Sequence, residues 1–172
     1  MNHIFIDFII EKCKKLFKEK LKDYDLSWKF LKISSMIDQI FIKILRIQNI
    51  QKKGNTKVKE ENIIDTYLDV INYIIITLIK LNFSSSLKRK ISHSKILNIY
   101  NKQLNPIKNW NDKEEINDGL SIDTIVENIL SCKKKKNFLS KSKDLEKFYL
   151  KMLKMIIFLL SKNRDIEKMK MN

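Results

Sequence analysis

Glu61, Asp65, Asp69 and Asn72 recur at i, i+4, i+8 and i+11, a spacing that lines four oxygen-bearing side chains along one edge of a helix. Carboxylates one turn apart can jointly hold Mg²⁺, which takes oxygen ligands and keeps several of its waters. Upstream, Asp38, Gln39, Lys43 and Arg46 share one sector of a second helix. Lys43 and Arg46 suit phosphate oxygens, the guanidinium through its planar fork. Cations on one helix and carboxylates on the next are the parts of a phosphate-and-metal pocket. They are equally the parts of an ordinary inter-helix ion-pair network, and the residue types leave both readings open.

Each residue carries a plainer explanation beside the chemical one. Asp65 and Asp69 lie deeper in an apolar helix than Glu61, which is close enough to the helix start to serve the macrodipole. Arg46 is one of three arginines in the chain; its alternative is a salt bridge to Asp38 or Asp69. Asp38 reads better as a structural or capping residue. Tyr24 and Trp28 could flank a base, although packing is the better explanation for Trp28. Asn72 and Tyr73 sit in the most apolar segment, where a buried amide must be hydrogen-bonded, either to a ligand or to a neighbouring Asp. His3 and His93 have no ligand-spaced partners, and no zinc site, phosphate loop, nucleophile elbow or Cys/His pair is present.

Six segments with helical periodicity must position these residues, at about 3–21, 35–51, 58–82, 93–104, 122–134 and 145–162. On the first, the apolar face is Ile6, Ile9, Ile10, Cys13, Leu16, Phe17 and Leu21. Ser34 or Ser35 suits an N-cap for the second. A turn is expected around Gly54 and a linker at NFSSSLKRK, and Pro106 with the Asn/Asp-rich stretch after it separates the fourth helix from the fifth. The expected fold is all-α.

These segments read as two copies of a three-helix unit, residues 1–83 and 84–172, packed as a single domain. MIDQIFIKIL (36–45) aligns with SIDTIVENIL (121–130), YLDVINYIIITLI with YLKMLKMIIFLL, and Trp28 with Trp110. Under that alignment Lys43 and Arg46 become Asn128 and Ser131, and Glu61, Asp65, Asp69 and Asn72 become Lys143, Lys147, Lys151 and Lys154. The apolar skeleton recurs and the polar stripes do not. A pocket kept in one copy and dismantled in the other would give this contrast.

The net charge of +15 attracts phosphates non-specifically but is weak support for a nucleic-acid reader. The chain has no alanine, two glycines, one proline and 32 lysines, a pattern that coding bias toward AT-rich codons explains. Nucleic-acid readers favour arginine and interleaved aromatics, whereas these lysines cover almost every polar face. Cys13 and Cys132, each within a helical pattern, suggest no disulfide framework and point to a reducing cytoplasm. The apolar runs are too short for a bilayer span, and no secretory signal is visible.

The run DYDLSW, then SSMIDQIFIKILRIQNI, then DTYLDVINY resembles the bacterial nucleotide modification associated domain 1 family. The matching positions are Asp23, Tyr24, Ser27, Trp28, Ser34, Ser35, Asp38, Lys43, Arg46, Ile47, Asp69, Asn72 and Tyr73. Asp25 stands where the family has glycine, so the turn there is expected to need a left-handed conformation. More loosely, the acidic helix is similar to the E-x-x-x-D pattern of all-α nucleoside triphosphate pyrophosphohydrolases, which hold Mg²⁺ against a triphosphate. The resemblance implies a role near nucleotide or base-modification metabolism and brings no defined reaction. The expectation is a nucleotide or phosphate ligand in the first repeat. Lys43 and Arg46 would meet phosphate, Tyr24 and Trp28 flank the base, and Asp38 and Asn72 give polar support. Glu61, Asp65 and Asp69 would hold Mg²⁺, and any activity would be metal-assisted phosphohydrolysis. The rivals are a helical scaffold, with the acidic stripe facing Lys147 and Lys151, and a basic nucleic-acid binder. Homo-oligomerisation is left open.

Overall fold

Each periodic segment becomes a helix in the computed structural model of the protein, which describes residues 3–53, 63–87, 91–108, 119–135 and 142–163. In chain order these are α1 (His3–Tyr24), α2 (Ile33–Lys53), α3 (Ile63–Leu87), α4 (His93–Lys108), α5 (Ile122–Lys134) and α6 (Ser142–Ser161), with a short 3₁₀ turn at Ser27–Phe30. There is no strand among the described residues, as the absence of period-2 alternation requires.

The core is built around α3, which packs against α1, α2, α4 and α6. Having neighbours on several sides, it buries Ile64, Tyr67, Val70, Ile71, Ile74, Ile75, Leu78 and Ile79 almost completely. That explains why this segment is the most apolar and the least amphipathic. Its buried Thr77 hydroxyl donates to the Tyr73 carbonyl one turn back, at 2.7 Å, so it adds no unsatisfied group. α1 buries Ile6, Ile9, Ile10, Cys13, Phe17 and Leu21 against this core, with Leu16 partly covered.

The 3₁₀ turn reverses the chain between α1 and α2. α1 ends at Tyr24, and Asp25 adopts φ 49°, the left-handed exit expected at the position where the family has glycine. The chain then folds back, burying Leu26 and Trp28. Lys29 N–H donates to the Leu26 carbonyl at 3.0 Å and Leu31 N–H to that of Trp28 at 3.1 Å. From α3, the Lys80 ammonium donates to the Lys29 carbonyl and ties the turn down; burial depresses the Lys80 pKa.

α2 and α5 are joined by contacts that mirror each other. Asp38 on α2 accepts from Lys133 on α5 at 2.5 Å. Asp123 on α5 accepts from Gln48 on α2 and lies 3.3 Å from Lys52. Asp38 and Asp123 align in the two proposed copies, and the same ungapped alignment sets Gln48 against Lys133. The two cross-contacts therefore fall at corresponding positions of the expected alignment.

Several expected boundaries move. α2 begins at Ile33, so Ser34 and Ser35 occupy its first turn, with Met36 N–H bonded to the Lys32 carbonyl. α3 continues to Leu87 through a break at Phe83 (φ −122°, ψ 21°), well into the expected linker. α4 runs past Pro106 to Lys108, beyond the end expected from that proline. The turn around Gly54, Glu61, Trp110 and the Asn/Asp-rich stretch after Asn109 lie outside the described residues. Among the described residues no helix is long and apolar enough to cross a membrane.

Candidate functional site

α1, the 3₁₀ turn and α3 enclose a cleft of about 320 Å³. Its walls include Phe17, Lys20, Leu21 and Tyr24 from α1, Asp25, Ser27 and Trp28 from the turn, and Asn72, Tyr73 and Ile76 from α3. Local rules place them. Phe17, Leu21 and Tyr24 follow one another at i, i+4 and i+7 along α1. The left-handed step at Asp25 swings the turn back over that face, and Asn72, Tyr73 and Ile76 come from one turn of α3.

Behind the wall, Asp69 holds two ammonium groups. Its Oδ1 accepts from Lys20 Nζ at 2.5 Å and its Oδ2 from Lys43 Nζ at 2.6 Å. Burial alone would raise the pKa of this carboxyl, but hydrogen bonds from Lys20 and Lys43, with their charges, outweigh it and hold the pKa below the ordinary value. Lys43 also sits 5.5 Å from the centroid of the Tyr73 ring, within cation–π range. With one carboxylate between two ammonium groups, the cluster carries one net positive charge.

The deep wall is polar in a particular way. Asn72, only 3% exposed, accepts through Oδ1 from the Tyr100 hydroxyl on α4. Tyr100 is itself fully buried and stacked on Phe17, with centroids 4.1 Å apart and planes 7° from parallel. The Asn72 amide nitrogen and the Trp28 indole nitrogen are both buried and have no hydrogen-bond partner among the described residues. At the rim, Tyr24 is 66% exposed and Asp25 lies 2.6 Å from His93 Nε2.

The residues expected to form a site fall into three groups. Tyr24, Trp28 and Asn72 meet at the cleft, with Lys43 and Asp69 just behind Tyr73. Asp38 is directed to Lys133 and links α2 to α5; Arg46 is half-buried on α2 and already engaged. Asp65 is exposed one turn before Asp69, and Glu61 is outside the described residues. Among the described residues no three His, Cys, Asp or Glu side chains converge to hold a metal ion. Asp69 is paired within its own half of the chain, with Lys20 and Lys43, whereas the scaffold reading placed the acidic stripe against Lys147 and Lys151. The partner expected for Asn72 was an Asp or a ligand; its oxygen instead meets Tyr100.

Lys20, Phe17, Tyr100 and the Asp25–His93 contact were not foreseen. Lys20 lies 49 residues from Asp69 in a chain where lysine is everywhere, so nothing local marks it. A buried Tyr following an apolar face of α4 was the one available hint of Tyr100.

A smaller cavity, about 170 Å³, lies between α5 and α6, with Asn128, Ser131, Lys135 and Lys151 among its walls. Asn128 and Lys151 align with Lys43 and Asp69. The ion pair that closes α2 onto α3 thus has no counterpart between α5 and α6.

Fold and cleft together define an all-α protein with a cleft walled by aromatic and polar residues in its first half. Residues 20–81 match the family model described as nucleotide modification associated domain 1, so the resemblance carried by the motifs holds over that span. The matched span contains Lys20, Tyr24, Trp28, Asp69, Asn72 and Tyr73. No curated protein and no solved structure matches the chain.

Proposed function

We propose that the cleft between α1, the 3₁₀ turn and α3 binds a nucleotide. The observation that carries this reading is convergence. Tyr24, Ser27 and Trp28 from one motif, and Asn72 and Tyr73 from another, wall the same cleft. Aromatic faces on a concave wall with a few fixed polar groups suit a heterocyclic base. Lys20 in the wall and Lys43 behind it supply the net positive charge that a phosphate needs. The family description, nucleotide modification associated, agrees with this ligand class.

In this reading Asp69 positions the two lysines and Arg46 adds positive charge on the same helix as Lys43. Both Asp69 oxygens are occupied by ammonium groups, so binding is expected to proceed without Mg²⁺, and no step is assigned to a metal. The mirrored α2–α5 contacts support reading the chain as two facing copies, with the ligand site retained in the first.

Thermal-shift titration with nucleoside mono- and triphosphates, with and without Mg²⁺, tests the proposal. Nucleotides should raise the melting temperature of the wild type, and Lys20→Met should weaken the response. No shift with any nucleotide, or an unchanged response in Lys20→Met combined with Trp28→Phe, would overturn it.

A further inference from the structure

We infer that the groove between α5 and α6 is a docking surface for an acidic segment of a partner protein that carries an apolar anchor residue. The groove is separate from the cleft of the first half. Its cavity, about 170 Å³, falls below the roughly 300–1,000 Å³ of small-molecule pockets and has room for one large apolar side chain. The floor is apolar. Met152 and Met155 are 3% and 7% exposed, and the half-buried Phe148 stands with them. Methionine adapts its shape to the group it receives. The alignment of the two halves gives the reason the groove stays open. Lys43 and Asp69 tie α2 to α3 at 2.6 Å, whereas Asn128 and Lys151 at the corresponding positions of α5 and α6 hold no opposite charges.

Charge selects the occupant. Lys135 and Lys151 in the wall are exposed, and an ammonium only donates. Lys143 and Lys147 continue the exposed row along α6 at one-turn spacing. Among the described residues no carboxylate walls the groove. α5 and α6 hold four carboxylates, and packing turns two of them elsewhere. Asp123 accepts from Gln48 on α2, and Glu146 accepts from Asn82 on α3 at 2.9 Å. Glu127 and Asp144, both exposed, lie outside the walls. An abundance of lysine accounts for the cations but not for the clearing of the anions. An acidic segment pairs with this row while its apolar residue fills the cavity, the arrangement of a buried anchor inside a polar rim. A nucleic-acid backbone would use the lysines and leave the apolar floor unfilled. Neither helix has an arginine for bidentate phosphate contacts.

Cys132 lines the groove and is partly exposed, whereas Cys13 is buried, so alkylation of the intact protein reports occupancy. The probes are a synthetic peptide of Asp and Glu around one central Phe, the same peptide with Ala replacing Phe, and an oligothymidylate of equal charge. Iodoacetamide labelling with mass spectrometry measures protection, and fluorescence anisotropy measures affinity. The Phe peptide should slow Cys132 alkylation and bind about tenfold tighter than the Ala peptide, as a buried anchor requires. Lys135→Glu combined with Lys151→Glu should abolish the protection. Lys95→Glu combined with Lys102→Glu, an equal change in net charge at exposed sites on α4, should keep it. Equal affinity for the two peptides, unprotected Cys132, or equal losses in the two double variants would overturn the inference and reduce binding to the general positive charge of the chain. Protection by the oligothymidylate as strong as that by the Phe peptide would overturn it in favour of nucleic acid.

Discussion

Replacing Asp69 by asparagine keeps the shape of the side chain and removes the charge that two lysines share. Lys43 is 24% and Asp69 22% exposed, so their charge-assisted hydrogen bond belongs with partly buried examples, about 1.5–3 kcal/mol. Lys20 is 40% exposed and its share is screened toward that of a surface pair, about 1 kcal/mol or less. Together they put the cost of Asp69→Asn at roughly 2–4 kcal/mol, or about 5–15 °C in melting temperature for a chain of this size. The pH dependence follows from the depressed Asp69 pKa. A carboxyl whose folded pKa lies below its unfolded one contributes stability that is present above the unfolded value and lost as pH falls through the folded one. The gap between wild type and Asp69→Asn should therefore be full at pH 7 and close as the pH drops below the ordinary carboxylate range. Circular-dichroism melts and denaturant midpoints from pH 7 to pH 3 measure it. Lys20→Met and Lys43→Met should each cost less than Asp69→Asn, because one ammonium remains. A variant melting within a degree of wild type at pH 7, or a gap that persists undiminished in acid, would refute this account of the cluster. Stabilisation of wild type by Mg²⁺ alone, absent in Asp69→Asn, would show that the carboxylate exchanges its lysines for a metal.

Asp25→Gly should raise the melting temperature, since glycine meets φ 49° without the Cβ penalty, whereas Asp25→Val should lower it; the same melts compare them. A double-mutant cycle on Asp38 and Lys133, both substantially exposed, should give a coupling of about 0.2–1 kcal/mol that fades in high salt. Cys13 is fully buried beside Asp69, and burial first, then that negative charge, raises its pKa. A thiol reagent should thus modify Cys132, which is partly exposed, well ahead of Cys13, with mass spectrometry of timed samples assigning the order.

Helix number, type and approximate position were legible in this sequence because the 3.6-residue period acts over a few positions, whereas the ends expected from Pro106 and from Ser34 or Ser35 moved. The left-handed step at Asp25 was legible only through the resemblance, because the family has glycine at that position. Tyr24, Trp28 and Asn72 could be nominated from motif and burial. Their meeting in one cleft could not be read, because it depends on α1 reversing through a 3₁₀ turn onto α3. Partner choice was the least legible feature. With 32 lysines, any carboxylate has many possible mates, and only packing brings Lys20 and Lys43 to the two oxygens of Asp69. Tertiary structure likewise decided that Tyr100 takes the Asn72 oxygen and leaves its nitrogen, with that of Trp28, buried at the cleft. Periodicity specifies which face a helix hides, whereas hydrogen-bond pairing is settled by neighbours distant along the chain.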